Sequence, residues 1–246
     1  MSTIQTIGII GYDKCSEQDT ITTLEILRGT SRVLAGKVTP WKLKTPLANL
    51  DVKFLSLDPG NVTMQLGAVV VPDGVVKDSD MFDLLYIPGG TGSGLVRQDQ
   101  RMLGIIQRHY SAGKIVASNC SGVSILARSG ILGNNPVTCY AGVAQGLREE
   151  GINVPQPRRM WLGLPEARLW TTIGAFGVNG STVALVAYYF GEEVGTIVSL
   201  MFDTLAGLGQ QIFDLEGPEC FFYPDYEALI NTYFKPMLLP EPASQK

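Results

Sequence analysis

The chain has 246 residues, 45% of them hydrophobic, which is enough to bury the core of a single α/β domain. The formal net charge is −4 and the 19 Lys and Arg residues are scattered, so the composition argues against a nucleic-acid partner. The longest apolar stretches are much shorter than the roughly 20 residues that span a bilayer. We therefore expect a soluble protein with no membrane partner.

Four cysteines are spread along the chain at Cys15, Cys120, Cys139 and Cys220. They lack the close spacing of a zinc site or a CxxC redox motif, so no metal site is predicted. A chain of this length needs no disulfides, and free thiols in a reducing cytoplasm are the simplest interpretation. The first ten residues show no basic segment and no cleavage site, so they do not predict a secretion signal.

Short apolar runs that are typical of strands alternate with helix-like segments. The runs predict buried strands at residues 6–10, 52–57, 84–88 and 114–118. Residues 62–64 and 68–71 flank Gly67 and predict a small hairpin. Helices are predicted at about 19–34, 98–111, 121–130, 142–150 and 179–206. This alternation predicts an α/β fold with a mostly parallel central sheet and helices on both faces.

The last part of the chain differs in composition from the rest. After about residue 208 it is rich in proline and aromatic residues, which a solvated tail rarely carries. We therefore predict one domain over residues 1–210 and an extension over 211–246 that packs on the domain or on a partner subunit.

Trp161 and Trp170 predict an aromatic-edged hairpin or loop, whose rings either wall an apolar pocket or pack in the core or a dimer interface.

Cys120 is the candidate reactive residue because of the pattern around it. An apolar strand ends at Ser118, a helical pattern starts at Val123, and residues 119–122 join them. This strand, turn and helix order is typical of a nucleophile elbow, which projects its side chain above the sheet. Free N–H groups at a helix N-terminus favour the thiolate, so a lowered pKa of Cys120 is predicted. The alternative is that Cys120 is a small buried hydrophobic residue.

A glycine-rich run follows another predicted strand and contains Gly89, Gly90 and Thr91. Because ligands of open α/β sheets bind at the carboxyl ends of the strands, we expect this run to lie beside Cys120. The N–H groups of Gly90 and Ser121 would then form an anion hole next to the sulfur. The run lacks the lysine and the spacing of a P-loop, so it does not predict a nucleotide site.

The chain contains three motifs, at residues 83–92, 118–122 and 127–133, whose order and spacing resemble those of a known family. Through them the chain resembles the DJ-1/PfpI superfamily over roughly residues 5–210, and within it the isonitrile hydratase branch. The resemblance implies a flavodoxin-like α/β fold with a nucleophile elbow. It also implies a homodimer, to which the apolar stretch 196–208 is expected to contribute.

The resemblance further implies a carboxylic acid that hydrogen-bonds the cysteine from the segment after the first strand. The isonitrile hydratase pattern places Asp19 there, with Glu17 as the fallback. Asp19 is also well suited to be the N-cap of the first helix, so both roles stay open.

One departure from the family pattern concerns histidine. Many members carry a His where residues 137–140 stand here, and Cys139 replaces it, either as a second thiol of the site or as a buried spectator. The one histidine, His109, is expected near the opposite edge of the sheet, on the surface or at a helix end. A Cys, His and acid relay of the glutaminase type is therefore hard to assemble, which argues against amidotransferase activity.

The function implied by the resemblance is hydration of an isocyanide-type small molecule to an N-substituted formamide, without a cofactor. Cys120 and Asp19 would be catalytic, and substrate would be bound by Gly89, Gly90, Thr91, Ser121, Cys139, Tyr140 and Trp161. One alternative is a lyase, dehydratase or cyclase acting on an apolar secondary metabolite in the same pocket. A further alternative is a redox-sensing or glyoxalase-like homologue.

Overall fold

The most apolar runs of the sequence form the central sheet of the computed structural model, which describes residues 4–38, 49–204, 209–220 and 224–241. In chain order the strands of this sheet are β1 (Thr6–Gly11), β2 (Asp51–Ser56), β5 (Gly74–Val75), β6 (Leu84–Ile87), β7 (Ile115–Asn119), β8 (Trp161–Leu164) and β9 (Leu169–Thr172). Their spatial order is β5-β2-β1-β6-β7-β9-β8. Neighbouring strands are parallel except for β8 and β9, which form an antiparallel hairpin. The predicted mostly parallel α/β sheet is thereby confirmed.

A separate two-stranded hairpin contains β3 (Val62–Thr63) and β4 (Val69–Val70). Its turn passes through Gly67, which has a φ of 100°, a conformation that glycine adopts without steric cost. The small hairpin predicted around Gly67 is therefore confirmed.

Helices flank the sheet in two groups. The helices are α1 (Glu17–Leu34), α2 (Ser93–Val96), α3 (Gln100–Ser111), α4 (Val123–Ser129), α5 (Ala141–Glu149), α6 (Phe176–Phe190), α7 (Glu192–Met201) and α8 (Pro224–Leu238). α1, α6 and α7 pack together, while α4 packs against α2, α3 and α5, and α8 lies along α5. None of the helices in the described ranges is long and apolar enough to cross a membrane.

The single helix predicted over residues 179–206 is wrong. It is divided into α6 and α7 at Gly191, whose φ of 98° and ψ of 154° interrupt the helical path. The last residues of this prediction, and of the predicted dimer stretch 196–208, lie outside the described residues from 205 onward.

Part of the segment after α7 lies along the edge of the sheet. Residues 215–218 run antiparallel along β8, where the N–H of Gly163 donates to Leu215 O at 2.7 Å and that of Met160 donates to Pro218 O at 2.8 Å. These hydrogen bonds cover the open edge of β8, which would otherwise expose unpaired backbone groups. Residues 221–223, which include aromatics of the predicted extension, lie outside the described part of the chain.

The register of three adjacent strands brings three loops together. β7 pairs with β6 through Ser118 and Ile87, and with β9 through Asn119 and Thr172. Since the three strands are parallel, the residues that follow them meet at one edge of the sheet. Cys120, the glycine-rich run after β6 and the turn after β9 are therefore neighbours.

Candidate active site

Cys120 stands at the sharp turn between β7 and α4. It begins a short 3-10 turn, Cys120–Gly122, that leads directly into the helix, and its φ is 54°. This left-handed conformation is strained for a residue with a Cβ, and such strain is concentrated at functional sites. Gly122 is needed for the turn, because a Cβ there would lie 2.5 Å from Pro88 O. The predicted nucleophile elbow is confirmed.

Two glycines enclose the cysteine from the neighbouring loops. A Cβ on Gly89 would lie 2.5 Å from the Cβ of Cys120 and 2.9 Å from Asp19 Oδ2. A Cβ on Gly174, which follows β9 and has a φ of 89°, would lie 2.2 Å from the Cβ of Cys120 and 2.8 Å from its Sγ. No sequence pattern pointed to Gly174, because its proximity to Cys120 depends on the pairing of β7 with β9.

We expect Gly174→Ala to destabilise the protein and to slow alkylation of Cys120 by iodoacetamide. The new methyl group would overlap the thiol side chain, and overpacking of this kind typically costs about 1–3 kcal/mol. Urea unfolding and peptide mass spectrometry would measure the two effects. Gly36→Ala is the matched control, since Gly36 also has a positive φ, of 67°, but has nothing within 4 Å of the added Cβ. An equal loss of stability in both variants, with alkylation unchanged, would contradict the steric explanation.

Asp19 reaches Cys120 from the first turn of α1. The N-cap of this helix is Ser16, whose Oγ accepts from the N–H of Asp19 at 3.2 Å, so the alternative of Asp19 as the cap is wrong. Asp19 is 1% exposed, and its Oδ1 accepts from the N–H of Ala175 at 2.7 Å. Its Oδ2 has no partner of standard hydrogen-bond geometry among the described residues. The Cys120 thiol is nevertheless close enough to interact with this carboxylate.

Burial and mutual interaction govern the protonation of this pair. Burial, together with the negative charge of Asp19, raises the pKa of Cys120 well above its usual value, although the N–H of Ser121 lowers it. Burial also raises the pKa of Asp19, against the lowering effect of the Ala175 N–H and the thiol. The lowered pKa of Cys120 predicted from the helix N-terminus is therefore wrong, because desolvation and a neighbouring carboxylate outweigh the N–H groups. Because the pKa of Cys120 is raised, its thiol keeps its proton at neutral pH, next to a carboxyl group that can accept it.

Glu17, the other candidate acid, is held differently. Its Oε1 accepts from the N–H of Leu66 at 2.7 Å and from that of Ala68 at 3.4 Å. Glu17 thus fixes the hairpin turn between β3 and β4 beside the cavity, whereas Asp19 faces the sulfur.

The N–H groups of the glycine-rich run already have partners. Gly89 donates to Asn119 Oδ1 at 2.9 Å, and Gly90 donates to Ser121 Oγ at 3.0 Å. The anion hole predicted from the Gly90 N–H is therefore wrong, because that group faces the Ser121 hydroxyl. The N–H of Thr91 donates to Gln65 Oε1 at 3.1 Å, so a side chain rather than the backbone accepts this hydrogen bond. The N–H of Ser121 interacts with the sulfur of Cys120, as predicted.

Cys120 opens into a cavity of about 390 Å³. The run after β6 contributes Gly90 and Thr91 to its lining, beside Ser121. The other polar lining residues are Ser16, Glu17, Gln18, Asp19 and Gln65, and the apolar ones are Leu66, Tyr140, Ala175, Phe234 and Leu238. Among the described residues that line this cavity there is no Lys, Arg or His. Phe234 and Leu238 were not anticipated from the sequence, because they reach the site from α8, more than a hundred residues along the chain.

Two predicted substrate-binding residues lie elsewhere. Trp161 is fully buried, donates from Nε1 to Asp214 O at 2.9 Å and packs against Gly217, so it is a core residue beneath the returning segment. Cys139 is also fully buried, and the charged groups that act on it are Arg158, Arg148 and Glu227 rather than Asp19. Neither residue lines the Cys120 cavity.

His109 lies in the last turn of α3, as expected for a helix end, but it is buried rather than on the surface. Its Nε2 accepts from the N–H of Phe82 at 3.0 Å, and its Nδ1 lies 2.8 Å from Ile105 O. The ring is therefore neutral with both nitrogens used. Because Phe82 precedes β6, His109 is at the opposite edge of the sheet from Cys120.

One family model matches a part of the sequence that contains both the elbow and the glycine-rich run. It is that of the DJ-1/PfpI family, and it matches residues 6–163. The chain belongs to the DJ-1/PfpI family. In this DJ-1/PfpI protein, the matched part includes Asp19, Gly89 and Cys120, while α8 lies beyond it.

The relatives of this DJ-1/PfpI protein differ in activity. A deglycase of Pyrococcus horikoshii is 31% identical over 104 residues, which are 42% of this chain and 63% of the relative. The isonitrile hydratase of Pseudomonas putida is 26% identical over 101 residues, which are 41% of this chain and 44% of the relative. The matches therefore span less than two thirds of the length of these relatives. Among solved structures, Drosophila melanogaster DJ-1beta has a TM-score of 0.67 at 17% identity, covering 81% of this chain and 98% of that one, which shows the shared fold.

Proposed function

We propose that this DJ-1/PfpI protein hydrates isocyanides, with Cys120 as the nucleophile and Asp19 as the proton carrier. The observation that supports the proposal is the contact of the buried Asp19 carboxyl group with the Cys120 thiol, in a cavity whose described lining contains no histidine. Such a pair can supply a nucleophile and an acid to one substrate carbon without a third group. No cofactor is required.

In the first step, the Cys120 thiol transfers its proton to the Asp19 carboxylate, which leaves the negative charge on the sulfur. The Sγ attacks the terminal carbon of R–N≡C and a C–S bond forms. The same carbon takes up the proton from Asp19, which gives the thioimidate R–N=CH–S-Cys and leaves the carboxylate ionised. The Ser121 N–H stabilises the thiolate before attack.

In the second step, water adds across the C=N bond of the thioimidate, with its hydroxyl on the carbon and a proton on the nitrogen. The resulting hydroxyl then gives its proton to the Asp19 carboxylate, the C–S bond breaks and a carbonyl forms. The product is R–NH–CHO, and the thiolate and the protonated acid are regenerated. Asp19 thus acts first as an acid and then as a base, in keeping with the raised pKa that burial gives it.

Deglycase or glyoxalase activity is the second candidate. It is favoured by the deglycase relative, whose identity of 31% exceeds the 26% of the isonitrile hydratase. The described lining favours it less, because it offers no positive charge and no imidazole to the oxygens of a sugar-derived or dicarbonyl substrate.

The two candidates are separated by presenting the purified protein with cyclohexyl isocyanide and, in parallel, with methylglyoxal. We expect the formamide proton signal to appear in NMR spectra with the isocyanide, at a rate proportional to protein concentration, and no lactate to form from methylglyoxal. Lactate formation without any formamide would overturn the hydratase proposal and favour the second candidate.

A further inference from the structure

The C-terminal helix supplies the apolar wall of the Cys120 cavity. Phe234 and Leu238 of α8 line it, although the family model ends at residue 163. Leu238 is 3% exposed, and Phe234 is half-buried. We propose that α8 is the specificity-determining element of this site and selects substrates whose substituent is bulky, apolar and uncharged. This inference rests on the proposed function, because it names the substrate class of the same site.

The wall is connected to the reactive cysteine through Tyr140. The N–H of Tyr140 donates to the Cys120 carbonyl at 3.3 Å, which fixes its position beside the elbow. The Phe234 ring then meets the Tyr140 ring edge-on, with centroids 5.6 Å apart and an interplanar angle of 79°. Pairs in this arrangement are attractive, so the two rings form one continuous apolar surface in the cavity that Cys120 also lines.

Small residues let α8 approach the domain closely. A Cβ on Gly146 of α5 would lie 2.4 Å from Leu239 Cδ1, and one on Gly142 would lie 3.0 Å from Phe234 Cβ. A Cβ on Gly94 of α2 would lie 1.8 Å from Met237 O. The end of α8 that carries Phe234 is therefore packed closely against the domain at three glycines.

A buried ion-pair network holds the other end of α8. Glu227 is 5% exposed and pairs with Arg158 at 3.0 Å and with Arg148 at 3.4 Å. Arg158 also donates to Cys139 O at 2.8 Å, next to Tyr140. Breaking a buried pair leaves an uncompensated charge, so these contacts oppose displacement of the helix.

The charges of the cavity also restrict which substrates can bind. The ionisable groups of its described lining, apart from Cys120 and Tyr140, are the carboxyl groups of Glu17 and Asp19. These groups disfavour an anionic substituent, while the surface of Phe234, Leu238 and Tyr140 disfavours a charged group of either sign, which would lose its hydration there. An uncharged apolar substituent is the class that this surface fits.

The test compares Phe234→Ala with the wild type on methyl and cyclohexyl isocyanide. We expect KM for cyclohexyl isocyanide to rise by about tenfold in Phe234→Ala, because apolar contact with the ring is lost. The kcat for this compound, and KM for methyl isocyanide, should change little. Tyr233→Ala is the matched control, because Tyr233 is the neighbouring aromatic residue and is 73% exposed. Phe234→Leu, which keeps an apolar side chain, should restore most of the preference.

A second measurement does not depend on isocyanide turnover. The rates at which N-cyclohexylmaleimide and N-methylmaleimide alkylate Cys120 are compared by peptide mass spectrometry. We expect the ratio of the two rates to fall in Phe234→Ala and to stay unchanged in Tyr233→Ala. If the ratio falls in Phe234→Ala while neither the wild type nor any variant hydrates an isocyanide, selection by α8 is supported and the proposed function fails. If the ratio is unchanged or rises, or falls equally in Tyr233→Ala, the inference is overturned.

Discussion

Replacing Cys120 by alanine should abolish isocyanide hydration, with a loss of at least about 10³-fold in kcat. The proposed thioimidate requires a C–S bond to the substrate carbon, and the other three cysteines are outside the cavity lining. Without the sulfur, the carboxyl group of Asp19 has no nucleophile to assist. The rate of formamide production by the purified variant is the measurement, and circular dichroism would show that the fold is retained.

Cys220→Ala serves as the control for the loss of a thiol. Cys220 is a partly exposed free cysteine that does not line the Cys120 cavity, so the variant should retain the wild-type rate. Intact-mass spectra of the wild type, quenched in acid during turnover, should show an adduct with the mass of one substrate molecule. Full activity of Cys120→Ala, with no adduct on the wild type, would exclude covalent catalysis by this cysteine.

Replacing Asp19 by asparagine should lower kcat by about 10²- to 10⁴-fold, because the group that gives and takes the proton is removed. It should also shift the pH dependence of Cys120 alkylation in a defined direction. The negative charge of Asp19 raises the pKa of the thiol, so its removal should lower that pKa. The midpoint of the rate of reaction with iodoacetamide should therefore move to lower pH in Asp19→Asn.

Glu17→Gln is the matched variant for this pH measurement. The amide oxygen of glutamine can accept the same N–H groups from Leu66 and Ala68, and Glu17 is not among the groups that act on the Cys120 thiol. The midpoint should therefore stay at the wild-type value. A midpoint that moves to higher pH in Asp19→Asn, or equally in both variants, would show that Asp19 does not control the protonation of the cysteine.

The sequence predicted the elbow because every signal for it is local. An apolar strand, a short turn with Gly122 and a helical pattern follow one another within a few residues, and backbone sterics allow few ways to connect them. The same holds for the glycine-rich run and the hairpin around Gly67. The prediction of one helix over residues 179–206 failed at Gly191. The positive φ of this residue ends α6, although the apolar pattern continues past it.

The protonation of Cys120 could not be predicted from the elbow alone. A helix N-terminus favours the thiolate, but burial and the approach of Asp19 from α1 reverse the sign of the pKa shift. Likewise, Gly90 has the position expected of an oxyanion donor, yet its N–H is directed to a serine hydroxyl.

By itself, the sequence determined that Cys120 stands at the carboxyl edge of a mostly parallel sheet, since strand order along the chain and turn chemistry suffice for that. Only the tertiary structure decided what surrounds the sulfur. Asp19 reaches it from α1, Gly174 from the turn after β9, and Phe234 from α8, each through contacts between residues far apart in the chain. The physical reason is that local backbone preferences fix a turn, whereas desolvation and cavity shape depend on which distant segments pack against it.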